Sequence, residues 1–189
     1  FHGMVFAEES TVGAFLLRAR REGLRDFGAC MSPHTAWLML QGLETLPLRM
    51  QRHVANAQAV AEFLAAQPLV DKVGYPGLAS HPDHALAQKL LPRGAGAVFS
   101  FDLKGTREQG RAFIEALKIF SHLANVGDAK SLVIHPASTT HFRMDDEALQ
   151  QAGIGPGTIR LSIGLEDPAD LIDDLKRALK LAAKSGGAA

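Results

Sequence analysis

Cysteine is almost missing from this chain. The single Cys30 excludes an internal disulfide and fits a reducing compartment. Alone in an apolar context, it reads as a small buried residue rather than a catalytic thiol. An excess of either charge is missing too. Lys+Arg and Asp+Glu are both 20, so no global positive field draws the chain to nucleic acid or to an anionic membrane. No apolar run approaches the length of a membrane span, and no secretory leader pattern appears. Repeats and low-complexity segments are also lacking. Together these point to a globular chain of cytoplasmic type.

Several catalytic signatures are missing as well. There is no Gly-x-Ser-x-Gly elbow for an activated serine. The stretch GAGAVFS has Gly94 and Gly96 but lacks the third glycine and the following helix of a dinucleotide site, and reads as a turn into a strand. In SLVIHPASTTH, His135 and His141 are six residues apart, with no acidic or thiol partner at ligand spacing. A metal site needs three or four converging ligands. These histidines read as polar loop residues that fix the backbone by hydrogen bonds.

What is present is ordinary material for a folded domain. The 189 residues are 47% hydrophobic, enough for one domain with a core, or one domain plus part of another. The sequence opens abruptly with FHGMVFAEE, which predicts that residues are missing upstream. Residues 10–23 read as an amphipathic helix, with Phe15, Leu16 and Ala19 on one face and Arg18, Arg20 and Arg21 on the other. Ser32-Pro33 is a helix start. The helix after it carries Trp37, Leu38, Met39 and Leu40, apolar nearly all round, and is expected to be deeply buried. From Pro47 to about Ala66 apolar residues recur at helical spacing. We place residues 1–47 as the tail of one domain and 48–189 as a second, which begins with this linking helix.

Further on, strands and helices mix. LVDKVGYPG, AGAVFSFDLKG, SHLANVG, SLVIHP and TIRLSIGLE read as strands. DHALAQKLL, TREQGRAFIEALKIF, DDEALQQAGI and DPADLIDDLKRALKLAAK read as helices, the second with a Thr106–Gln109 capping box and the third ending at Gly153. SGGAA reads as a frayed tail. The economical architecture is α/β, in an α+β small domain: a small sheet covered by helices.

Two residues stand out. Arg160 lies in a strand beside Ile159, Leu161 and Ile163. An arginine at a buried sheet needs a partner. Composition favours a salt bridge to Glu166 or Asp167. The functional alternative is a guanidinium fork that holds a substrate carboxylate by two parallel hydrogen bonds. Asn125, in LANVGD, either serves the turn or places an amide near a ligand.

The stretches LRDFGACMSPHTAWLMLQGLETLPLRMQRHVANA, NVGDAKSLVIHPASTTHF and IRLSIGLEDPADLIDDLKRAL resemble the C-terminal part of the Cys/Met-metabolism enzymes that use pyridoxal 5′-phosphate (PLP). These are fold-type I PLP-dependent transferases. The resemblance runs from about Phe1 to Lys180. Within the family, FHGMVFAEE, GAGAVFSFDLKG and Asn125-Val126 resemble the O-acetylhomoserine sulfhydrylases. The γ-lyases and γ-synthases usually carry a serine-leucine pair where Asn125-Val126 stands.

The resemblance implies a methionine-biosynthesis transferase. With PLP as electron sink, the γ-acetoxy group of O-acetylhomoserine is replaced by sulfide or a thiol. It implies that Arg160 binds the substrate α-carboxylate, that Asn125 stands beside it, and that Thr140 lines the same region. Arg25 and Asp26 match a Lys-Asp pair that approaches the neighbouring subunit's active site. A homotetramer is implied. The Schiff-base lysine of the family stands in a Ser-x-Thr-Lys segment. No lysine from Lys72 to Lys184 stands in one, and the main PLP-binding elements precede the matching region. The expectation is a chain inactive by itself, completed by a missing N-terminal part of the same protein. Alternatives are a methionine γ-lyase, a cystathionine γ-synthase, or a non-catalytic fragment that serves as an assembly domain.

Overall fold

The computed structural model describes residues 2–185. The expected frayed tail therefore lies, beyond Ser185, outside the described residues. The chain divides into two compact units, Phe1–Thr45 and Leu46–Ala189.

The first unit is a set of short helices. α1 is Phe6–Glu9, and α2 is Ala14–Arg18. A π-helical turn at Ala19–Leu24 leads into α3, Arg25–Phe27, which Gly28 ends at φ 62°. The helix expected over 10–23 thus starts later and runs further. Ser10 Oγ accepts the Gly13 N–H at 2.9 Å and holds the preceding residues in a turn. α4 is Pro33–Glu44, with Ser32 as its N-cap accepting the Thr35 N–H at 3.2 Å. The expected deep burial of this helix is not found: Trp37 is 55% exposed and Leu40 59%. A helix apolar all round needs cover on every side, and no described residue of this unit is buried. Cys30 is also exposed, against expectation, because it stands in the irregular segment between α3 and α4.

The second unit begins with α5, Leu46–Ala65. It continues with β1 (Val70–Gly74), α6 (His84–Leu90), β2 (Val98–Leu103) and α7 (Arg107–Ala116). β3 (Ser121–His122), β4 (Leu132–Ile134), α8 (Asp146–Gln151), β5 (Thr158–Ser162) and α9 (Pro168–Ser185) complete it. α7 carries the capping box read from Thr106 and Gln109. SHLANVG forms only a two-residue strand, and the rest of that stretch is irregular. The five strands form one sheet in the order β1-β2-β5-β4-β3, with β3 and β4 parallel and the other neighbours antiparallel.

Register explains the layers. Phe99 pairs with Leu161, which pairs with Val133, so one face carries an apolar row. α5, α7 and α9 pack against that face through residues such as Leu64, Phe113, Leu171 and Leu175, all fully buried. Each such side chain contributes about 1.5–3 kcal/mol relative to exposure. The buried Asp174 carboxylate of α9 accepts the N–H groups of Lys118 and Ile119, and so fixes the chain as it leaves α7. Side chains alternate along a strand. The opposite face therefore carries Ser100, Arg160 and Ile134 in one row.

Candidate functional site

Arg160 is explained by this alternation. Its apolar neighbours Ile159 and Leu161 point to the helices, while Arg160 points to the uncovered face. There a hollow of about 580 Å³ is lined by Val98, Ser100, Ile134, Thr140, His141 and Arg160, among others. The guanidinium makes one long hydrogen bond, from Nη2 to the Asn125 carbonyl oxygen at 3.5 Å. It has no carboxylate partner among the described residues.

The salt bridge that composition favours is not formed, because both acids are committed elsewhere. Glu166 accepts the Ser131 N–H at 2.6 Å and the Ser131 hydroxyl at 2.9 Å. Asp167 accepts the Ala169 N–H at 2.8 Å and caps α9. Arg160 is half-buried, and a guanidinium has five N–H donors, of which this bond engages one.

Asn125 reaches Arg160 through its backbone. Its side-chain Oδ1 accepts the Val126 N–H at 2.9 Å, as a turn residue does. Thr140 lines the same hollow, and its hydroxyl is 2.8 Å from His141 Nδ1. Arg25 and Asp26 belong to the first unit, where they form an exposed ion pair at 2.9 Å.

The loop that carries Thr140 is held from below by His135, which is completely buried. Its Nε2 donates to the Pro156 carbonyl at 2.7 Å, and its Nδ1 accepts from the Ser138 hydroxyl at 2.8 Å. Burial pushes the imidazole below its usual range, Arg107 and His122 add to that, and the Pro156 carbonyl opposes it. His135 thus shapes the loop, as the sequence suggests.

Sequence reasoning did not single out Ser100 or the Glu166–Ser131 pair. Ser100 alternates visibly with Phe99 and Phe101, but only strand pairing puts it opposite Arg160. Nothing local signals that Glu166 and Ser131 meet.

The hollow thus joins one guanidinium, held by a single long hydrogen bond, to a largely apolar lining and a loop shaped by buried hydrogen bonds. Residues 2–180 match the Cys/Met metabolism PLP-dependent enzymes. The chain belongs to this family.

Among its relatives is the O-acetyl-L-homoserine sulfhydrylase of Leptospira meyeri, 49% identical over 95% of this chain and 43% of the relative. The L-methionine gamma-lyase of Pseudomonas putida is 48% identical over 90% of this chain and 43% of the relative. A solved structure described as an O-acetylhomoserine (thiol)-lyase from Campylobacter jejuni, with a pyridoxyl-lysine phosphate, is 46% identical. It matches with a TM-score of 0.80 over 91% of this chain and 41% of that one. The chain spans well under half the length of these family members. The α/β fold, with its small sheet and helices, is a part of the family fold.

Proposed function

We propose that this chain supplies the substrate-carboxylate end of a PLP-dependent O-acetylhomoserine sulfhydrylase. The observation that carries the reading is the Arg160 guanidinium, aimed into the hollow with no acidic partner among the described residues. The guanidinium fork takes the α-carboxylate in two parallel hydrogen bonds. The Asn125 carbonyl steadies its far side, and the Thr140 hydroxyl borders the same space.

PLP supplies the electron sink for exchanging the γ-substituent. Among the described residues no lysine lines the hollow, so those that do fit the substrate's carboxylate and not the cofactor's imine. In this reading the cofactor is held by a further part of the same protein. The chain by itself is inactive, residues 1–47 are the tail of the cofactor-binding domain, and residues 48–189 are the small domain. The whole enzyme is a cytoplasmic homotetramer in which Arg25 and Asp26 approach the neighbouring active site. High identity to sulfhydrylases supports sulfide or thiol addition to O-acetylhomoserine, and the γ-lyase relative keeps thiol release as the second reading.

The test is substitution of Arg160 in the full-length, PLP-loaded polypeptide. R160K keeps the charge and loses the fork. We expect it to weaken binding of amino-acid substrates by about tenfold or more, and to leave binding of the matching amine, which lacks the carboxylate, unchanged. Equal effects on both would overturn the carboxylate role. Assays of sulfide addition and of thiol release on the same preparation separate the two reactions.

A further inference from the structure

The loop that carries Asn125 is closed at its base by one buried residue. The chain leaves β3 at His122 and enters β4 at Leu132. Ser131 stands just before that entry and is fully buried. Its carbonyl accepts the Ser121 N–H at 2.9 Å, which closes the loop on itself.

The other groups of Ser131 reach the segment after β5. Its N–H donates to Glu166 Oε1 at 2.6 Å and its hydroxyl donates to Glu166 Oε2 at 2.9 Å. The same hydroxyl accepts the Gly164 N–H at 2.8 Å. Leu165 N–H adds a bond to the Ala129 carbonyl at 2.8 Å. The contact is tight enough to need a glycine: a Cβ on Gly164 would stand 2.4 Å from both the Ala129 carbonyl oxygen and Glu166 Oε2.

The segment is held from its other side as well. Asn56 of α5, buried, donates to the carbonyls of Gly164 at 3.0 Å and Glu166 at 2.8 Å. Two donors on one carboxylate form a strong, directional bridge. One side of that bridge follows the strand of Arg160, and the other ends the loop of Asn125.

We infer that Glu166 is a positioning residue for the substrate-carboxylate fork. Through Ser131 it fixes loop 123–131 against the end of β5, and so sets the Asn125 carbonyl against Arg160. A glutamine at this position has one acceptor oxygen instead of two. With that oxygen on the Ser131 N–H, its NH2 faces a hydroxyl that can no longer donate to it and already accepts the Gly164 N–H, so the charge-assisted bridge is weakened.

The inference rests on the carboxylate reading of Arg160, so the experiment separates the two. Full-length, PLP-loaded protein is prepared as wild type, R160K, E166Q and S131A. Binding of L-methionine and of 3-(methylthio)propylamine, the same molecule without its carboxylate, is followed by cofactor absorbance. Amide exchange of residues 123–130 is measured in parallel. E166Q and S131A are each expected to lower the preference for methionine over the amine by about fivefold or more, with faster exchange in 123–130. R160K lowers the same preference without speeding that exchange.

If R160K leaves the preference intact, the carboxylate reading fails. If R160K lowers it while E166Q and S131A stay within about twofold of wild type, the bridge is structural only and the inference is overturned. Unchanged exchange in 123–130 in both bridge variants overturns it as well.

Discussion

Gly110 of α7 leaves the space in which the His135 ring lies. A Cβ at Gly110 would stand 2.6 Å from His135 Nε2 and 3.0 Å from two ring carbons. The ring cannot step aside, because its two nitrogens are bound to Pro156 and Ser138. The helix interior and the loop that lines the hollow are thereby matched to each other.

The Gly110→Ala substitution tests this match. In a free helix the change stabilises by about 1 kcal/mol. Here overpacking outweighs that gain, and we expect a net loss of about 1–3 kcal/mol. A melting temperature at or above that of the wild type would contradict the geometry.

The buried imidazole gives a pH signature. His135 has a lowered folded pKa, so the unfolded chain binds its proton first as pH falls. Its contribution to stability is fully present above the unfolded value of about 6.5, and is lost as pH falls toward the folded value. Denaturant melts between about pH 7.5 and 5.5 are therefore expected to show falling stability. In His135→Gln that slope is reduced, on a lower baseline. An equal slope in both proteins would exclude His135 as its source.

Asn125 gives a functional test. Arg160 is met by its backbone carbonyl, while its side chain serves the exposed Val126 N–H. Asn125→Ser, which introduces the hydroxyl that γ-lyases and γ-synthases usually carry there, keeps the carbonyl. It is expected to change substrate affinity in the full-length enzyme by less than about fivefold, the weight of one exposed hydrogen bond. A loss as large as that of R160K would place the side chain, rather than the backbone, in the site.

Much of the local structure in both units could be read from short windows. The cap of α4 at Ser32, the capping box of α7 and the alternation of Ile159, Leu161 and Ile163 are written in short windows. They were legible because capping and strand alternation depend on residues a few positions apart. The exposure of Trp37 and Cys30 was not, since burial depends on what packs against a residue. The partner of Arg160 was not legible either. Composition pointed to Glu166 or Asp167, and both are taken by backbone and hydroxyl donors.

The sequence by itself determined the α/β character, the neutral charge and the presence of one arginine in an apolar strand. The family resemblance was also carried there, in long ordered stretches such as NVGDAKSLVIHPASTTHF. The tertiary structure decided which face Arg160 points to and that no acid among the described residues meets it. It also decided that Ser131, 35 residues away in sequence, takes the Glu166 carboxylate. Strand register and long-range hydrogen bonds set those outcomes, and both join residues that no local pattern connects.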